Sequence, residues 1–117
     1  MIPFGQVLSE ADRRHIRMIL DSSVVTDAPG VKARSKVPAF LREHTYMDEG
    51  SAQAFQAMEP VEREQLLSDL IWRVTCYLDG SITRVGLVNK YDLGGEFCAV
   101  QSEQDGREIF CLVRSTS

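Results

Sequence analysis

The sequence is poor in the residues that most often carry chemistry: its 117 positions hold two histidines, three cysteines and one tryptophan. His15 and His44 are far apart, and no C-x-x-C pair accompanies them, so the spacing of a zinc site is missing and no metal is expected. Cys76, Cys98 and Cys111 are odd in number, and each lies in a regular, partly apolar segment. That argues against a disulfide framework and reads as small core thiols. No apolar run approaches the ~20 residues that a membrane-spanning helix needs. The opening stretch, MIPFGQVLSEADRR, has neither the basic start nor the long apolar segment of a secretory signal, and a cytoplasmic location is expected. Gly94-Gly95 is not framed by strand and helix as a phosphate cradle would be, so it reads as a hairpin loop and no cofactor is expected. Asp48-Glu49-Gly50-Ser51 lacks the twelve-residue pattern of a calcium loop and reads as a helix-capping turn.

What is present is ordinary for a folded protein: 44% apolar and 26% charged residues, with no internal repeat or low-complexity tract. The length fits a single domain over 1–117. The net charge of −4 is uneven. Residues 1–42 hold seven Lys/Arg against four Asp/Glu, and residues 43–117 hold six against thirteen. An acidic majority argues against attraction of the whole surface to nucleic acid or to an anionic membrane.

The chain is organised around Pro60 to Gly80, the longest helical pattern in it. Pro60 suits a first turn, and Gly80 a stop. Leu66, Leu67, Leu70, Ile71, Val74, Tyr77 and Leu78 recur at spacings of three and four and mark one side. Trp72 and Cys76, four apart, project from the otherwise polar side. They are expected to be covered by an earlier helix of the same chain; the alternative is a partner surface or a dimer contact.

Ahead of this helix, Ile2 to Val7 reads as a short edge strand or a loose arm, because Pro3 is unsuited to a central strand. Ser9 to about Ser22 is a helix, with Ser9 and Asp12 as a capping box and Arg13, Arg14 and Arg17 outside. Val24 to Val37 reads as irregular; if it is extended, Lys32, Arg34 and Lys36 share one side and form a basic strip for an acidic partner. A second helix opens at Pro38 and closes near Tyr46 or Met47, and Ser51 caps a third, short one.

After Gly80 the pattern becomes strand-like. Ile82 to Asn89, Phe97 to Gln101 and Ile109 to Arg114 are β candidates, with YDLGGE as one loop and Asp105-Gly106 as a two-residue hairpin turn. IFCLV is apolar on both faces and should be covered on both sides or gain another strand, from the N-terminal segment or from a second copy.

The expected fold is therefore α+β: N-terminal helices, then a three-stranded antiparallel meander, with the helix over 60–79 packed on the sheet. No motif specifies a reaction. The expected role is a small protein-interaction or regulatory module of the inhibitor or immunity type, with Trp72, Cys76, Lys32, Arg34 and Lys36 meeting a protein partner and a homodimer as an option. Two alternatives stay open. One is a small enzyme or toxin using His15 or His44 with a cysteine or carboxylate. The other is nucleic-acid binding through Arg13, Arg14, Arg17, Lys32, Arg34 and Lys36.

Overall fold

The structure, a computed structural model, describes residues 1–22, 31–79, 90–93 and 97–114. The chain opens with β1 (Ile2–Pro3) and runs straight into a single helical turn, α1 (Phe4–Val7), which buries Phe4 and Val7. Pro3 does stand in an edge strand, where its missing N–H leaves no ladder bond unmade. Helix α2 (Glu10–Asp21) begins at the expected capping box: Ser9 Oγ accepts from the Asp12 N–H at 3.1 Å, and the Asp12 carboxylate accepts from the Ser9 N–H at 2.9 Å. Ile16 is buried, while Arg13, Arg14 and Arg17 are exposed.

The part of the expected irregular stretch that precedes Val31 lies outside the described residues. Its end is ordered as a helical turn, α3 (Val31–Arg34), anchored by buried Ala33 and packed on the later long helix. Helix α4 (Val37–Glu43) carries Pro38 in its first turn and stops at His44, before the expected Tyr46 or Met47. Two donors close it at one carbonyl, that of Phe40: the His44 N–H at 2.9 Å and the Thr45 hydroxyl at 3.3 Å. The next residues form a strand, β2 (Thr45–Met47).

Helix α5 (Glu49–Ala57) is capped by Asp48, whose carboxylate accepts from the Ser51 N–H at 3.3 Å. Ser51 is thus not the cap. It is buried in the helix, and its hydroxyl accepts from the Arg114 N–H at 3.2 Å. Helix α6 (Pro60–Leu78) is the organising helix and buries Leu66, Leu67, Leu70, Ile71 and Val74, as the spacing predicts.

Three strands follow: β3 (Lys90–Asp92), β4 (Phe97–Gln104) and β5 (Arg107–Arg114). The expected strand over Ile82–Asn89 lies outside the described residues, and β3 occupies the start of the expected YDLGGE loop. The β4–β5 turn is as anticipated, with Asp105 and Gly106 at φ of 54° and 75°.

The α+β class holds; β3, β4 and β5 pair antiparallel in succession, but they are not the whole sheet, as a three-stranded meander would be. The described sheet has five strands in the order β1-β2-β5-β4-β3 and is mixed, because β2 runs parallel to β5. The β2–β5 register pairs Thr45 with Phe110, Tyr46 with Cys111 and Met47 with Leu112. β5 therefore has a neighbour on each side, and Ile109, Phe110, Cys111 and Leu112 are all buried. Its extra partner is β2, not β1, and β1 in turn flanks β2.

By strand alternation, Thr45, Met47, Phe97, Ala99, Gln101, Phe110 and Leu112 share one face of the sheet. Its apolar members join Phe4, Phe40, Phe55 and the α6 leucines in one core. Phe40, Tyr77 and Phe110 lock α4, α6 and β5 together: Phe110 lies 5.1 Å from Phe40, edge to face, and 4.9 Å from Tyr77. No helix among the described residues is long and apolar enough to cross a membrane.

Candidate partner-binding surfaces

The outer side of α6 is the first candidate. Trp72 stands two residues beyond Leu70, roughly 200° around the helix, so an indole there points away from the core side. It is 61% exposed. The expectation that an earlier helix covers it is overturned: α2, α3 and α4 all pack on α6, yet leave Trp72 bare. Cys76, one turn later, is half-buried. Burial pushes its thiol pKa up; nearby Asp79 adds to the rise and Arg73 opposes it. Trp72 and Cys76 thus form a short ridge on a side that otherwise carries polar groups such as Gln65 and Asp69, which are hydrogen-bonded at 3.2 Å.

The extended backbone that the basic strip assumed is not adopted: Lys32 and Arg34 belong to the helical turn α3, and Lys36 follows it in a turn. Arg34 is half-buried and Lys36 exposed.

The histidines sit on different helices. His15 lies on α2, with Nε2 buried and without a hydrogen-bond partner among the described residues. His44 ends α4 and stacks on the Phe40 ring at 5.3 Å. Among the described residues no group of three His, Cys, Asp or Glu side chains is placed to hold a metal ion.

Two polar arrangements were not anticipated. The Tyr77 hydroxyl donates to the Glu108 carboxylate and accepts from the Gln101 amide at 3.2 Å, joining α6 to β4 and β5. Gln101 ends a strand that reads mainly for its apolar residues, and Glu108 falls in the expected link ahead of Ile109, so nothing in their spacing marks them. The second is an open groove of about 1010 Å³ between α1, α2 and α4. Buried Ile16 and Leu41, with half-buried Leu20, contribute its apolar lining, and exposed Arg13, Arg17 and Arg42 its charged lining. The sequence pattern marks Ile16 and Leu20 as the apolar side of α2 and Arg13 and Arg17 as outside it, so it does not show the four as one lining. The opposite wall was not legible either, because α1 reads as a strand or arm.

A comparison of the chain with protein-family models, with curated proteins and with solved structures finds no match.

Proposed function

We propose that this protein is a small cytoplasmic regulator that acts by occupying a partner protein, as inhibitors and immunity proteins do, and that Trp72 anchors the contact. The observation that carries the reading is the exposure of its indole at 61% on a well-formed helix. A tryptophan carries a large apolar surface with a polar handle, and such residues supply a disproportionate share of the binding energy at protein interfaces. Cys76 one turn away extends the apolar contact, and Arg73 and Asp69 supply polar groups around it.

A homodimer through the last strand has less support, because β5 has β2 and β4 on its two sides. The test is affinity capture from the native host's lysate with the wild-type chain and with Trp72→Ala, each with and without nuclease. One stoichiometric protein, retained after nuclease and lost with Trp72→Ala, is the expected result. Recovery of the bait alone, or nuclease-sensitive recovery, would overturn the proposal.

A further inference from the structure

We infer that the groove between α1, α2 and α4 is a second binding site, which takes an acidic amphipathic peptide segment of a partner protein. The groove is distinct from the α6 ridge and does not depend on it. Its apolar lining includes Ile16 and Leu20 of α2, Leu41 of α4, and Leu8, Pro3 and Pro38. These side chains are aliphatic, and among the described residues the groove lining holds no aromatic ring. A single-stranded nucleic acid would find no surface on which to stack its bases. At about 1010 Å³ the groove is at the upper end of ligand-pocket sizes (~300–1,000 Å³), and it is open. That shape suits the apolar side of a peptide better than an enclosed small molecule.

The charge on the lining sets the chemistry of the occupant. Among the described lining residues the charged groups are Arg13, Arg17 and Arg42 against one carboxylate, Glu10. Arg13 and Arg17 are one turn apart on α2, about 6 Å along the axis, and carboxylates four residues apart on a helical peptide repeat at the same distance. Arg13 is already held in place, since its Nη2 donates to the Gly5 carbonyl at 2.9 Å. Its remaining N–H groups stay available for a carboxylate. Arg42 pairs with Glu43 at 3.4 Å, but both side chains are more than half exposed, and such a pair is weak enough to exchange partners. A flat anionic membrane would be met better by a raised basic face than by a concave slot with an apolar lining.

The test selects displayed random short peptides on the immobilised full chain. Winning peptides are then measured by fluorescence anisotropy against the wild type, Arg17→Glu/Arg42→Glu and Trp72→Ala. The expected winners are net negative, with apolar residues at i, i+3 and i+4. Their affinity falls by about tenfold or more for the arginine double variant, whose two reversed charges each turn an attraction into a repulsion, and is unchanged by Trp72→Ala. Insensitivity to Trp72→Ala separates this site from the α6 ridge, so either reading can fail alone.

The inference is overturned by neutral or basic winners, by no enrichment, or by equal binding to the double variant. It is also overturned if a single-stranded oligonucleotide or phosphatidylserine vesicles displace the peptides as effectively as unlabelled peptide does. Sedimentation adds one more arm: self-association that blocks peptide binding would assign the groove to a second copy, whose exposed Val61 is flanked by Glu59, Glu62 and Glu64. If the double variant loses its helical circular dichroism, a salt titration on the wild type replaces it. Affinity must then fall as salt rises, and a salt-independent affinity would overturn the inference.

Discussion

The guanidinium of Arg63 on α6 closes an ion pair with the carboxylate of Asp12 on α2, and the same guanidinium lies over the Phe55 ring of α5, 4.7 Å from its centroid. The Asp12 side chain is 8% exposed and that of Arg63 18%. Asp12 also accepts the Ser9 N–H, so one carboxylate closes the cap of α2 and ties α2 to α6. Position on α2 is what this tie fixes, and α2 carries two of the three arginines of the groove.

Arg63→Met should destabilise the protein by about 3 kcal/mol, because it leaves the Asp12 charge buried without its partner. Urea unfolding followed by circular dichroism reads the loss as a lower midpoint. Asp12→Asn with Arg63→Met should cost less than the sum of the two single variants, since the double variant leaves no unpaired charge. A wild-type midpoint for Arg63→Met would remove the ion pair from the account of the fold.

Tyr77→Phe separates the ring from the hydroxyl. The ring contact with Phe110 at 4.9 Å is kept, and the bonds to Glu108 and Gln101 are lost. A cost of about 1–2 kcal/mol is expected, the range for removing a hydrogen-bonded hydroxyl from part-buried partners. Phe110→Ala empties a fully buried site between α4 and α6 and should cost about 4 kcal/mol. Denaturant midpoints of the two variants check the order; a larger loss for Tyr77→Phe would contradict the packing described.

Helices α2 and α6 were legible because each carried its own signal: Ser9 and Asp12 for α2, Pro60 and the spaced leucines for α6. The sheet was only half legible. The β4–β5 hairpin announced itself by Asp105-Gly106 and the apolar run after it, and that run also said correctly that β5 needed cover and a neighbour. The neighbour itself was hidden. Thr45-Tyr46-Met47 is three residues at the end of a helical pattern, and its pairing with 110–112 spans more than sixty residues of chain, a distance over which local spacing carries no information. Trp72 fails for a related reason. Its position on the polar side was read correctly, but the rule that bulky apolar residues find cover is statistical, and here the three helices that pack on α6 leave it bare. The groove needed α1, and α1 is a single turn of four residues whose order comes from burying Phe4 and Val7, not from helix propensity.

Gly106→Ala isolates backbone conformation from packing. Gly106 has φ of 75°, and a Cβ built there meets nothing within 4 Å. Any loss is therefore the cost of a left-handed conformation, about 1 kcal/mol. Thermal unfolding should show a lower midpoint, with the β4–β5 pairing intact in hydrogen exchange. An unchanged midpoint would mean that the turn is not left-handed.

Cys76 gives a dependence on pH whose sign is fixed. Burial, helped by Asp79, raises its pKa in the folded state. Folding therefore favours the protonated thiol, and the contribution to stability is fully present below the unfolded pKa and lost as pH rises through the folded value. The folded protein should also hold less thiolate at mildly alkaline pH than a free thiol does. Iodoacetamide alkylation of Cys76, located by mass spectrometry, should be slower than that of the urea-unfolded chain, and the gap should narrow as pH rises. Alkylation of the folded chain at the unfolded rate would show that its surroundings do not perturb the thiol.

Trp72→Ala distinguishes a residue kept for binding from one kept for the fold. With 61% of its surface already in water, removing the indole should change stability by no more than about 0.5 kcal/mol. A residue that anchors an interface has the opposite profile, costing about 2 kcal/mol or more of binding when truncated, roughly a thirtyfold loss of affinity. Urea midpoints and partner capture measured on the same preparation read both quantities. An unchanged midpoint with lost capture is the outcome expected of an interaction surface. A midpoint that falls while capture persists would make Trp72 part of the fold, covered by the chain's own residues in solution, and would leave the α6 ridge without its anchor.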